Sequence, residues 1–197
     1  MSASLRLFPL HTVLWPEGLL PLRIFEPRYV GLVRDCMREG CGFGVTPIRH
    51  GGEAGDPAEP HALGTHADII DFDQGADGLL HILVKGSYRF RLLSHQVGRD
   101  GLLTGTIERI VEEPAEPLPA EFQQLKTVLQ KVLEIEAAST GQRGTVPNEA
   151  SMSVYRLLER LPFDAAIKLE ILASSSVARQ IELCHHALLQ MMQSRET

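Results

Sequence analysis

From Leu80 to Leu92 the chain keeps a two-residue rhythm. Leu80, Ile82, Val84, Tyr88, Phe90 and Leu92 share one parity, and His81, Lys85, Ser87, Arg89 and Arg91 share the other. Such a period, held over so long a run, specifies a β-strand with one face buried. Gly86 falls on the apolar parity, where a missing side chain predicts a bulge or a sharp bend, as at a barrel corner. Asp77-Gly78, just upstream, is a hairpin signal. A second turn near Gly98–Gly101 leads into a strand from Leu102 to about Glu113. Antiparallel neighbours around a strand that must bend predict a small, partly closed barrel for the first half of the chain.

The segment before this hairpin adds one helix. Leu20–Phe25 reads as a strand preceded by the Pro16-Glu17-Gly18 turn. Pro27 suits a first helical position, and Tyr29, Leu32, Val33, Cys36 and Met37 follow the spacing of one buried helix face. Gly40 is the expected C-cap. Gly42–Ile48 returns as a strand, and residues 49–63, rich in glycine and proline, read as a mobile surface loop.

A boundary follows at Glu112-Glu113-Pro114-Ala115-Glu116-Pro117-Leu118-Pro119, which can continue neither a strand nor a helix interior. The expected organisation is a β-barrel subdomain over residues 1–113, a Pro/Glu linker over 114–118 and a helical bundle over 119–197. In the second half Phe122, Leu125, Val128, Leu129, Val132 and Ile135 form a helical stripe. Asn148 is placed to cap a helix carrying Met152, Tyr155, Leu158 and Leu161. Pro162 interrupts, a helix from Asp164 to Ala173 follows, and Ser174–Ser176 separates it from a last helix over Val177–Met192. The fold class is therefore α+β.

The net charge of -6 gives no general attraction to nucleic acid or to an anionic membrane. No apolar run reaches the ~18 residues of a transmembrane helix. The N-terminus lacks the pattern of a secretory signal, and the three cysteines form no disulfide framework, so a cytoplasmic location is expected.

The order of short motifs carries a resemblance. Phe8-Pro9-Leu10, Ile24-Phe25-Glu26-Pro27-Arg28-Tyr29, Phe43-Gly44-Val45, Gly64-Thr65-His66-Ala67, Asp77-Gly78 and Gly86-Ser87-Tyr88-Arg89-Phe90 follow one another between residues 7 and about 111. In these residues and this order the chain resembles the N-terminal domain of the Lon protease family. The helical half matches in pattern, through Leu157-Leu158-Glu159-Arg160-Leu161-Pro162 and a terminal helix with Arg179. The resemblance implies a barrel of the pseudouridine-synthase-associated (PUA-like) kind followed by a helical bundle. It also implies recognition of unfolded or degron-bearing polypeptide, or of a protease or chaperone component.

Catalytic signatures are missing from the sequence. There is no phosphate-cradling Gly-x-x-x-x-Gly-Lys loop, no Gly-x-Ser-x-Gly elbow, no His-Glu-x-x-His helix and no Lon-type Ser-Lys peptidase motif. The expectation is a non-enzymatic module without cofactor. Cys36 and Cys41 precede His50, His61 and His66, but the second paired ligand set of a structural zinc site is missing, and Cys36 reads better as a small apolar residue on a buried helix face. Cys184-His185-His186 points three ways from one helix.

Three features stay open between structure and binding. Glu26 either complements the helix N-terminus, with Arg28 tying a neighbouring element, or the two form a binding rim. Trp15, the only tryptophan, either covers a barrel end or is an exposed anchor. His81, Lys85, Arg89 and Arg91 form either a solvated sheet face or a short basic patch, the latter favouring the rival reading of a small-molecule- or RNA-binding barrel. For polypeptide binding the candidate contributors are Trp15, Leu19, Leu20 and Tyr29. Phe8, Pro9, Glu26, Pro27, Arg28, Gly86, Arg89 and Phe90 are expected to be motif residues with structural roles.

Overall fold

A computed structural model of the chain describes residues 2–141 and 143–193. The chain divides into two compact units, Met1–Ile110 and Val111–Thr197. The first contains β1 (Ser2–Leu10), β2 (Leu19–Ile24), α1 (Pro27–Glu39), β3 (Phe43–His50), β4 (Glu59–Pro60), β5 (Leu63–Gln74), β6 (Leu80–Val97) and β7 (Leu103–Arg109). The second contains α2 (Gln123–Thr140), α3 (Ala150–Arg160), α4 (Ala165–Ala173) and α5 (Val177–Gln193). The protein is thus α+β, sheet first and helices second.

Strand pairing in the first unit runs β1-β7-β6-β5-β3, and β3 returns to β1. That last contact is parallel, Leu7–Leu10 against Gly44–Pro47, and all the others are antiparallel. Pro9 lies in this parallel stretch, beyond the point where β7 leaves β1 at Leu7, so its missing N–H breaks no bond on that side. Leu7, Phe90, Leu92, Leu103 and Ile107 pack together within the circuit. Gly44 and Gly64 leave the space that the Phe90 ring fills, since a Cβ at either would meet it.

The β5–β6 hairpin turns through Asp77-Gly78, with Gly78 at φ 78°, and Asp77 Oδ1 accepts from the Leu79 amide at 3.0 Å. β2 pairs with the first part of β6 and with no other strand. On one face of this three-stranded region Leu20, Leu22 and Ile24 align with Val84, Ile82 and Leu80. Against them packs α1 through Tyr29, Leu32, Val33 and Cys36, together with Phe8, Phe43 and Val45. Met37 stands outside this face and is exposed. Gly40 ends α1 in the left-handed conformation at φ 64°. The segment expected as one surface loop contains β4, and its Ala58 is buried.

Two sheet features differ from expectation. Register shifts between the Arg89–Thr65 and Gly86–Ala67 pairs, so the irregularity lies just after Gly86 rather than at it. Gly86 itself is where the Trp15–Gly18 turn lands. The Glu17 amide donates to the Gly86 carbonyl and the Gly86 amide to that of Gly18, each at 2.8 Å. The polar parity of β6 is only in part the solvated face, exposed at His81, Ser87 and Arg91. Arg89 is fully buried. Lys85 pairs with Glu17, and His81 lies 3.3 Å from Asp77.

The Gly-Thr-x-Ala stretch shows how a short motif becomes structure. Gly64 admits Phe90, Ala67 is buried in the core, and the buried Thr65 hydroxyl donates to the Leu14 carbonyl at 2.6 Å. Thr65→Val keeps the shape but removes that donor. It is expected to cost ~1–2 kcal/mol, the usual penalty for stranding a buried acceptor, and urea titration measures it.

His66 stacks on Tyr88 with ring centroids 4.7 Å apart, while the Arg109 guanidinium covers the Tyr88 ring at 4.5 Å. Burial holds the His66 imidazole below its ordinary value, with Asp68 opposing and Arg109 assisting. A base lowered on folding binds fewer protons folded than unfolded. Its stabilisation is therefore complete above about pH 6.5 and is lost as pH falls through the lowered folded value. The expected result is a stability decline below neutral pH that is shallower in His66→Gln than in the parent protein, read from denaturation midpoints at several pH values.

In the second unit α3 lies against α2 and α5, and α4 against α5. The buried stripe of α2 is Leu125, Leu129 and Leu133, and Ile135 is exposed. Asn148 does not cap α3. Instead the Ala150 amide donates to the Glu116 carbonyl at 2.8 Å, and Pro117 bridges Glu149, so the Pro/Glu segment itself finishes that helix end. Asp164 caps α4 by accepting from the Ala166 amide at 2.7 Å. Glu113 accepts from the Val177 amide at the start of α5 at 2.7 Å, where a carboxylate also complements the helix dipole.

Candidate functional site

The Leu20–Tyr29 stretch combines an edge strand, a tight junction and a helix start, and the junction opens a groove. Pro27 begins α1, which forces the chain to turn directly after Phe25 and Glu26. Phe25 is left 60% exposed, while Ile24 before it is buried. Across the gap Phe8 stacks on Tyr29 with ring centroids 3.9 Å apart and 14° between planes. Phe8, Leu10, Leu22, Ile24, Phe25 and Tyr29 supply the apolar lining of a groove of about 260 Å³. Pro21, Arg23, Glu26 and Glu53 complete it.

Polar groups fix its rim. Arg28 is ion-paired to Glu26 at 3.0 Å, donates to the Gly101 carbonyl at 3.2 Å and lies over the Tyr29 ring at 4.7 Å. Glu26 therefore spends its carboxylate on Arg28, and its side chain makes no capping bond to α1. Glu53 accepts from the His11 amide at 2.7 Å and so ties its segment to the end of β1. Burial pushes the Tyr29 hydroxyl up, Glu26 and Glu53 add to this, and Arg28 opposes it. The phenol thus stays protonated at neutral pH, leaving the groove apolar inside with carboxylates at its mouth.

Of the four residues expected to bind polypeptide, Tyr29 lines this groove. Its ring is mostly enclosed, 6% exposed, so it forms wall rather than rim. Trp15 is 1% exposed and is no surface anchor. Leu19, 58% exposed, lies on the opposite face of β2 from Leu20 and Leu22. Leu20 is half-buried and packs on the core beside the groove. The sequence reading missed Leu10, Leu22, Phe25 and Glu53. Phe25 had a signal: a large apolar side chain directly before a Glu-Pro helix start, where the chain must turn away from the sheet.

The histidines weighed for zinc do not gather around the two cysteines. Cys36 is buried in α1, Cys41 is exposed beside Arg6 and Glu39, and His66 stacks on Tyr88. Among the described residues no group of three or more such ligands is placed to hold a metal ion. No helix there is long and apolar enough to cross a membrane.

The family model of the ATP-dependent protease La (LON) substrate-binding domain matches residues 4–190. The chain belongs to the Lon substrate-binding domain family. Its fold is similar to that of the Lon N-terminal domain protein from Xanthomonas campestris, with a TM-score of 0.77, 36% identity, and coverage of 91% of this chain and 95% of the other. The N-terminal domain of Mycobacterium avium complex Lon protease shares the fold at a TM-score of 0.64 and 14% identity, covering 92% of this chain and 96% of that one. Lon protease of Flavobacterium johnsoniae is 25% identical over 80% of this chain, and that of Anaeromyxobacter dehalogenans 27% over 71%. The chain spans 19% and 18% of those two proteases. The match is to the Lon family's substrate-binding domain and not to its ATPase or peptidase domains.

Proposed function

We propose that the protein is a non-catalytic recognition module that binds unfolded or degron-bearing polypeptide in the Phe8–Leu22–Tyr29 groove. The observation that carries this reading is the exposed Phe25 at the mouth of an apolar groove built from the family's own Phe-Pro-Leu and Ile-Phe-Glu-Pro-Arg-Tyr motifs. At about 260 Å³ the groove lies below the ~300–1,000 Å³ of ordinary small-ligand pockets, and it suits single large side chains of a polypeptide instead. Pro21 removes a backbone donor from the β2 edge, which weakens the case for adding a peptide strand there and favours side-chain insertion. Glu53 at the mouth, whose segment is exposed, favours an apolar segment with a basic flank. The same chemistry serves if the occupant is an apolar segment of a protease or chaperone component. The RNA reading loses its basis in the burial of Arg89 and the carboxylate partners of Lys85 and His81.

Fluorescence anisotropy of a labelled, permanently unfolded polypeptide, titrated with the protein across a salt series, tests this. Saturable binding that changes little with salt, and is missing for a folded control, is the expected result. No binding at micromolar protein, or a steep fall with salt, overturns it.

A further inference from the structure

We propose that Cys36 and Cys41 are a peroxide-responsive thiol pair that closes a reversible intrachain disulfide at the C-terminal turn of α1. The helix end brings them together. Gly40 takes the left-handed conformation, and the Cys41 amide donates back to the Cys36 carbonyl at 3.0 Å. This six-to-one closure sets the side chains at the two positions against each other, the place where such a turn usually makes an apolar contact. The Cys41 side chain is among the groups that act directly on the Cys36 thiol. Cys184, the third cysteine, is buried in the other unit.

The two sulfurs are unequal. Cys41 is exposed, and its sulfur accepts from Arg6 Nη2 at 3.1 Å. The same guanidinium pairs with Glu39 at 2.6 Å, and the Cys41 thiol points to that carboxylate at 3.7 Å. The Cys41 sulfur is thus accessible and carries a guanidinium donor that can stabilise negative charge on it. Cys36 is fully buried and donates to the Gly42 carbonyl at 3.5 Å. Burial, against the pull of Arg6, pushes its thiol up to about 12, so it does not meet the oxidant first.

The chemistry balances with hydrogen peroxide as oxidant. The Cys41 sulfur attacks one peroxide oxygen, the O–O bond breaks, and Cys41 sulfenic acid and water form. The Cys36 sulfur then attacks the Cys41 sulfur. The S–S bond forms, the S–O bond breaks, and the departing hydroxide takes the Cys36 proton as a second water. Two thiols and one peroxide become one disulfide and two waters.

Trypsin separates the two positions, because Arg34, Arg38 and Arg49 bracket them. The experiment treats the native chain with hydrogen peroxide, alkylates remaining thiols, digests without reductant and reads peptides by mass spectrometry. The expected result is Asp35–Arg38 linked to Glu39–Arg49, released by dithiothreitol and lost entirely in Cys41→Ser. In Cys36→Ser the sulfenic acid at Cys41 persists and is trapped by dimedone. The proposal is overturned if Cys41 proceeds to sulfinic acid while Cys36 remains alkylatable, or if both thiols stay free.

Discussion

Gly86→Val is expected to be the most damaging single substitution in the sheet unit, lowering stability by ~3–5 kcal/mol, at the high end for point changes. A Cβ at residue 86 would overlap the Trp15 carbonyl oxygen, which is backbone and has no rotamer to move into. The turn carrying that oxygen is held from several sides. The Gly18 amide donates to the Trp15 carbonyl at 2.9 Å, Glu17 and Gly18 bond through their main chain to Gly86 of the strand, and the Glu17 carboxylate pairs with Lys85. Glu17 also holds φ at 60°, a conformation costly for a residue with a side chain and retained only where the surroundings enforce it. Relieving the overlap means giving up these bonds together. Trp15 is buried beside this contact and reports its loss, so urea titration followed by tryptophan fluorescence measures the effect. Gly78→Ala is the comparison: it has a positive φ but no neighbour in the way, and ~1 kcal/mol is expected.

The second large effect concerns binding. Phe25→Ala is expected to weaken affinity for an unfolded polypeptide ~10-fold or more, the loss of ~1.4–2 kcal/mol typical of an aromatic anchor. Because the side chain is 60% exposed, its own contribution to stability is small, and the denaturation midpoint is expected to move little. Leu19→Ala removes an equally exposed apolar residue from the far end of β2, outside the groove lining, and is expected to leave affinity within about twofold. Anisotropy titrations of both variants beside the parent separate a specific groove from general stickiness. Equal losses from the two variants would favour stickiness.

Elements set by local pattern were legible before the structure. The alternation of β6, the Asp77-Gly78 turn, the apolar stripe of α1 and its Gly40 cap each depend on neighbours within a few residues. Features set by distant segments were not. Alternation marks Arg89 as polar-facing but cannot say that this face is covered at residue 89 and open at residue 91. The parallel β1–β3 contact joins segments 37 residues apart, Leu7 to Gly44, and no local signal announces it. Asn148 is a sound cap by composition, yet the Glu116 carbonyl reaches that helix end instead. The groove was legible only at Tyr29 for the same reason: Phe8, Leu22 and Tyr29 come from three elements, and Phe8 was assigned a structural role. Trp15 was weighed as an anchor because composition gives a lone tryptophan no burial, and the turn that buries it depends on the missing side chain at Gly86.

Amide chemical-shift mapping of the isotope-labelled protein during titration with the unfolded polypeptide tests the central claim most directly. The predicted result is saturable perturbation concentrated at Phe8, Leu10, Leu22–Glu26, Tyr29 and Glu53, with the amides of α2–α5 unmoved. Perturbations that map to the helices instead, or that spread without saturating, would contradict the assignment of the groove as the recognition site.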